Sequence, residues 1–184
     1  RGKPTDGQKK KRIIVSTNTI SLQEQLLEKD IPLLGSVIPR EFSTVLVKGR
    51  GNYLSRRRLA SALKRSGTLF DEADEETHLH QIRDWAHQSD DGSRSSMAFQ
   101  PIAGVWDEVA SDSGNCLGRA CPTFKSCFYF QARRRMEHAQ LLIVNHALFF
   151  SDLALRRQGV NILPDYDAVI LDEAHTLEAV AGDH

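Results

Sequence analysis

The sequence predicts an α/β protein in which a partial parallel sheet is interrupted by a mostly helical, cysteine-bearing insertion. Three observations carry this. Short apolar runs, Ile13-Ile14-Val15-Ser16-Thr17, Ser43 to Lys48, Leu141-Leu142-Ile143-Val144-Asn145 and Ala168-Val169-Ile170-Leu171, lie in two blocks near the ends of the chain. Uninterrupted runs of this length read as strands buried on both faces, the kind found in parallel sheets. The segment between is charged, helical in pattern and holds every cysteine, and the last run ends on the paired acids Asp172 and Glu173. The expected organisation is a sheet domain from 1–48, an inserted domain from 49–139 and a return to the sheet domain from 140–184.

Each element has its own local reason. After the first strand, Asn18 or Thr19 is placed to cap a helix over about Ser21 to Lys29, with Leu22, Leu26 and Leu27 at helical spacing and Pro32 marking its end. Gly49-Arg50-Gly51-Asn52 is a turn-forming stretch, and Arg56 to Arg65 reads as helix. An acidic run near Asp71 leads into an amphipathic helix with Ile82, Trp85 and Ala86, and Ser89 to Gly114 reads as irregular despite Val105-Trp106. A helix is expected from about Phe128 to Ala139, a helical turn at His146 to Phe150, a loop from Gly159 to Asp165, and a further helix from Thr176 to Ala181.

Composition bounds the function. With 184 residues, 40% apolar and 26% charged, the chain is of ordinary globular type. It lacks an apolar run of about 20 residues for a membrane span. It also shows no secretory h-region behind its basic N-terminus, which points to a cytoplasmic or nucleoid protein. The net charge is zero, yet seven basic residues and no acid fall between Lys48 and Arg65, and five more between Arg119 and Arg135. Basic and acidic residues are segregated as in a chain that meets phosphates on one surface and Mg²⁺ on another.

Leu171-Asp172-Glu173-Ala174-His175 carries the chemistry. An Asp at the carboxyl end of a parallel strand is placed to hold Mg²⁺ against nucleotide phosphates, and the neighbouring Glu to orient or deprotonate the attacking water. A strand ending in a solvated acidic turn is the plain alternative. The string resembles the Walker B strand and DEAH box of superfamily 2 helicases. Cys116, Cys121 and Cys127 are too few and too close for a disulfide framework and favour a metal or cluster site. Their spacing is not that of a zinc knuckle, whereas iron–sulfur sites accept wider, irregular spacings.

Lys48-Gly49-Arg50-Gly51-Asn52-Tyr53-Leu54, the three cysteines, Phe128 to Arg135, Val144-Asn145-His146-Ala147-Leu148 and the DEAH string follow one another as in the iron–sulfur DNA helicases of the DinG/XPD-like group, and the cysteine spacing resembles the DinG branch. This resemblance implies a 5′-to-3′, ATP-driven helicase for single-stranded or forked DNA, whose first RecA-like domain is interrupted by a [4Fe–4S] domain. It implies Asp172 on Mg²⁺, Glu173 on the water, His175 coupling nucleotide to DNA, and Thr17, Asn18 and Thr19 on the strand backbone. Arg50, Tyr53, Arg56, Arg133 and Arg134 would serve DNA in the insertion, Tyr53 by stacking unless it is a core residue. Ser55 stands where the family has its first cluster cysteine, so Cys116, Cys121 and Cys127 are left with a harder oxygen as fourth donor. An intact cluster, a labile or three-iron one, a lost one, and a Cys3His zinc site through His138 or His146 are the alternatives. His146 otherwise reads as a packed or nucleotide-site residue. The family's Gly-x-x-x-x-Gly-Lys-Ser/Thr loop does not occur in the chain. That loop and the second RecA-like domain are expected elsewhere in the polypeptide, and the chain alone is expected to bind nucleotide poorly. A non-catalytic DNA-binding module and a helicase-related exonuclease are the rival functions.

Overall fold

The computed structural model describes residues 11–69 and 73–173. The chain divides into two compact units, one drawn from 1–48 and 135–184, the other from 49–134.

The first unit is built on four parallel strands, β1 (Ile13–Thr17), β2 (Thr44–Leu46), β3 (Leu141–Asn145) and β4 (Ala168–Leu171), in the order β2-β3-β1-β4. Ile14, Leu142 and Val144 are buried with Val47, Met136, Leu148, Phe149 and Leu163 in its core. Because every strand runs the same way, Thr17, Asn145 and the residues after Leu171 come out at one end of the sheet. Thr17 pairs in register with Asn145, and Ser16 with both Val144 and Leu171.

Polar side chains fix that register. Arg12 donates to the carbonyls of Ala139, Asp165 and Glu137, and its backbone N–H meets the Asp167 carboxylate at 2.8 Å, which draws the start of β4 against β1. Asp152, fully buried on α7 (His146–Arg156), accepts from the N–H groups of Ile162 and Leu163 at 2.6 and 2.8 Å and pairs with Arg156 at 2.6 Å. The loop before β4 thus has internal partners for the backbone groups it buries. Gln23, also fully buried, bridges the carbonyls of Val47 and Ile143 from α1 (Ile20–Gln25).

Two expectations fail in this unit. Pro32 does not end the first helix. The winding loosens into a π turn over Leu26–Asp30, where the Ile31 N–H bonds the Leu26 carbonyl, and it continues as α2 (Ile31–Val37) with Pro32 in the first turn. A proline inside continuous winding clashes with the carbonyl four residues back, and the wider π turn directly ahead of Pro32 is where that crowding is relieved. Nor is β4 buried on both faces. It pairs only with β1 among the described strands, and Ile170 and Leu171 are 54% and 41% exposed.

The second unit packs α3 (Arg56–Leu69), α4 (Ala73–Gln88) and α5 (Ala103–Val109) around Leu59, Ala62, Leu79, Ile82, Ala86, Val105, Trp106 and Val109. Helix α5 lies within the stretch expected to be irregular. It has no side-chain cap and exists because Val105, Trp106 and Val109 face the core together. Residues 53–54 form isolated bridges to Ser93 and Ala110, and α6 (Phe128–His138) begins with the buried Phe128. Gly92, at φ 61°, backs onto that ring, and a Cβ there would stand 2.2 Å from it. Gly92→Ala is therefore expected to cost about 2 kcal/mol, from left-handed strain plus displacement of Phe128. Urea denaturation checks this, and a loss within error of zero contradicts it.

Candidate nucleotide site and cysteine hollow

At the carboxyl end of the sheet, β1 and β4 meet. Thr17 Oγ1 donates to Asp172 Oδ2 at 3.3 Å, and the Asp172 N–H donates to the Ser16 carbonyl at 2.8 Å. The carboxylate is exposed but held by a buried threonine, so it faces solvent with one oxygen engaged. Glu173 follows with φ 51°, a left-handed conformation that a non-glycine residue seldom adopts. It turns the chain at the strand end, and backbone strain of this kind collects where geometry serves function. His175, the third member of the expected set, lies outside the described residues, as does the helix expected over 176–181.

The turn after β1 divides the three residues expected on DNA. Thr17 is fully buried and spends its hydroxyl on Asp172, so it belongs with the acid rather than with a strand backbone. Thr19 caps α1 by accepting the Leu22 N–H at 3.2 Å, while Asn18 and Thr19 are both exposed. His146, read from the sequence as a packed or nucleotide-site residue, and Asn145, given no role there, join them. His146, fully buried at the first position of α7, lies with Nδ1 2.7 Å from Ser16 Oγ. Asn145 caps the same helix by accepting the Leu148 N–H at 2.9 Å. The signal available in the sequence was the Val-Asn-His string, a strand running straight into an N-cap.

In the second unit Ser55, Cys116, Cys121 and Cys127 line one small hollow together with Arg57 and Arg58. Asp112 there accepts from the Asn115 backbone and side chain, shaping the turn that presents Cys116. The Gly118 N–H reaches the Cys116 sulfur at 3.4 Å and lowers that thiol's pKa below the usual cysteine value; burial opposes this, and Arg50 and Arg57 add to the lowering. Ser55 accepts the Arg58 N–H at 3.4 Å, the bond an N-cap makes to the first turn of its helix, so its hydroxyl already serves α3.

The donor set suits a thiolate-bound cluster. Three sulfurs and one oxygen share a hollow, and the Arg50 guanidinium, which bonds the Cys116 side chain, has a buried Nη1 with no hydrogen-bond partner, a cation placed for added negative charge. Among the described residues no three His, Cys, Asp or Glu side chains stand close enough to hold one metal ion.

Of the basic and aromatic residues expected on DNA, Tyr53 is withdrawn. It is 4% exposed and packs edge-on to Tyr129 with ring centroids 6.0 Å apart, so its ring has no free stacking face. Arg50 lies over the Tyr129 ring at 3.9 Å and Arg56 over Phe128 at 4.2 Å, both partly buried. Arg134 is exposed and Arg133 intermediate. Among the described residues, no helix is long and apolar enough to cross a membrane.

The DEAD_2 family model matches residues 113–184. The ATP-dependent DNA helicase YoaA of Escherichia coli is 34% identical over 177 residues, 95% of this chain and 28% of the relative. The ATP-dependent DNA helicases DinG of Photobacterium profundum and of Escherichia coli are 32% and 30% identical over 94% and 96% of this chain, in each case 26% of the relative. Over nearly its whole length the chain is similar to a segment of the DinG-like helicases. It spans about a quarter of the length of these relatives (26–28%). The aligned region takes in both the sheet end with Asp172 and the cysteine hollow.

Proposed function

We propose that the chain forms part of an ATP-dependent DNA helicase of the bacterial cytoplasm, one that couples ATP hydrolysis at Asp172 and Glu173 to 5′-to-3′ movement on single-stranded or forked DNA. The observation that carries this reading is the Thr17–Asp172 bond, which holds an exposed carboxylate at the carboxyl end of a parallel sheet, directly before a strained glutamate. Asp172 would hold Mg²⁺ through the oxygen that Thr17 leaves free. Glu173 would orient the attacking water and take up its proton. The bound metal supplies charge neutralisation for the phosphates. Asn18, Thr19, Arg133 and Arg134 are the residues available to strand phosphates, and Arg50 and Arg56 would act through the rings and loops they brace. The remainder of the polypeptide would supply the phosphate loop and the second RecA-like domain. A non-catalytic module is the less favoured reading, since nothing in such a module calls for a fixed Asp beside a strained Glu.

Cys116, Cys121 and Cys127 would hold a [4Fe–4S] cluster, with Ser55 or an outside ligand as the fourth donor. When bound, the cluster supplies iron–thiolate bonds that cross-link the 116–127 loop. Full-length protein purified without oxygen is expected to carry about four irons per chain, and Ser55→Cys is expected to retain iron longer against a chelator. The added thiolate outweighs the lost helix cap, which is worth about 1 kcal/mol. Iron-free but folded protein overturns the cluster assignment. For the helicase itself, the full-length polypeptide is expected to separate a forked duplex with a 5′ single-stranded arm in the presence of ATP and Mg²⁺. Absence of ATP-dependent strand separation on any forked or tailed duplex overturns it.

A further inference from the structure

A continuous polar path runs from α7 to the carboxylate at the end of β4, and none of the roles assigned above uses its middle. Asn145 caps α7 and so sets His146 at the helix start. The His146 ring reaches Ser16 Oγ at 2.7 Å. The Ser16 carbonyl accepts the Asp172 N–H at 2.8 Å, and Thr17, the next residue, donates to the Asp172 carboxylate at 3.3 Å. Ser16, Thr17 and His146 are all fully buried, and β1, β3 and β4 meet in register at these positions. Ser16 is thus bonded to two neighbouring strands' ends at once, by its side chain on one side and its carbonyl on the other. The ring's second nitrogen, Nε2, is buried with no hydrogen-bond partner. A leucine of similar volume would avoid that desolvation penalty, so packing alone does not account for an imidazole here.

The geometry points to His146 as a positioning residue for the metal-binding carboxylate: through Ser16 it fixes the end of β1, and with it the Thr17–Asp172 bond that aims Asp172 at a divalent cation. This rests on the proposed role of Asp172. Groups that orient a metal-binding carboxylate without touching the metal govern metal affinity, and losing one costs about 10–100-fold. His146 and Ser16 act as a unit, so their losses overlap rather than add. His146 does not touch nucleotide or metal in this scheme.

The test uses the full-length polypeptide and binding rather than turnover. A fluorescent ADP analogue is titrated at a series of Mg²⁺ concentrations, and the Mg²⁺ half-point is read alongside the metal-free affinity and the melting temperature. Ser16→Ala and His146→Leu are each expected to raise the Mg²⁺ half-point about tenfold with the metal-free affinity unchanged, and the double variant is expected to go no further. His146→Asn, whose amide nitrogen or oxygen falls near the place of Nδ1, is expected to recover most of the loss. Ser16→Ala removes one buried hydroxyl without adding bulk, so it reports even if His146→Leu fails to fold. An unmoved half-point in folded Ser16→Ala overturns the inference, and so does a loss of metal-free affinity equal to the loss with Mg²⁺. Asp172→Asn separates the two levels. If it leaves the half-point unchanged, the proposed role of Asp172 falls and the inference falls with it. If it shifts the half-point while Ser16→Ala does not, only the inference falls.

Discussion

Glu173→Gln in the full-length polypeptide is expected to lower ATP turnover by roughly 10²–10⁴-fold while leaving nucleotide affinity close to that of the parent. The substitution keeps the shape and reach of the side chain and removes its negative charge, and with it the capacity to take a proton. Glu173 follows the exposed strand β4, and its backbone is left-handed, φ 51°. Glutamine adopts that conformation at similar cost, about 1–2 kcal/mol for any residue with a Cβ. A loss of turnover without loss of binding therefore isolates the proton. Asp172→Asn should fail differently, through a weaker hold on Mg²⁺, because the carboxylate charge that would hold the metal has gone while Thr17 still finds a side-chain partner. Phosphate release at saturating ATP, with analogue binding measured in parallel, checks both. Turnover within threefold of the parent (roughly 0.65 kcal/mol in barrier) would remove Glu173 from the chemistry.

Trp106→Ala is expected to cost about 4 kcal/mol, within the range for truncating a buried tryptophan. Trp106 is 2% exposed at the centre of the second unit, and its Nε1–H donates to the Gly51 carbonyl at 2.9 Å. The substitution opens a cavity among Val105, Val109 and Leu79 and orphans that carbonyl, which belongs to the turn carrying Arg50. Since α5 has no side-chain cap and is only seven residues long, it has little reason to stay helical once its largest core contact is gone. Calorimetry of the full-length protein should show the transition of this unit moving down by well over 4 °C, the low end for a 1 kcal/mol loss in a small domain. The same experiment on Trp106→Phe should show a smaller shift. An unchanged melting profile for Trp106→Ala would mean that the ring is not the keystone of this core.

How far these features could be read from the sequence depends on whether the cause was local. Strand β3, Leu141–Asn145, falls where its apolar run places it, because four apolar residues with Ile and Val are too short for a helix and suit a buried strand. Helix α5 could not be read, since Pro101, Gly104 and the surrounding polar residues argue against helix and only tertiary burial of Val105 and Trp106 overrides them. Pro32 misled because a π turn ahead of it lets the winding pass through the proline, and no local pattern announces that turn. For the candidate site, the acids were legible as a string, but their holder was not. Thr17 and Asp172 are 155 residues apart, and Ser16 and His146 are 130 apart, so both pairs depend on strand order, which no local pattern encodes. Tyr53 shows the same limit. An aromatic among arginines looks like a stacking platform until the fold places it beneath Tyr129 and in the core. Ser55 was legible as a departure from the cysteine pattern, whereas its task as the cap of α3 needed coordinates.

The most direct test of the nucleotide-hydrolysis reading is ATP turnover by the full-length polypeptide with and without single-stranded DNA, at fixed Mg²⁺. Hydrolysis that rises with single-stranded DNA and vanishes in Glu173→Gln is the predicted result. Hydrolysis indifferent to DNA, or unaffected by Glu173→Gln, would contradict the assignment of the Thr17–Asp172–Glu173 end of the sheet as the motor's hydrolytic centre.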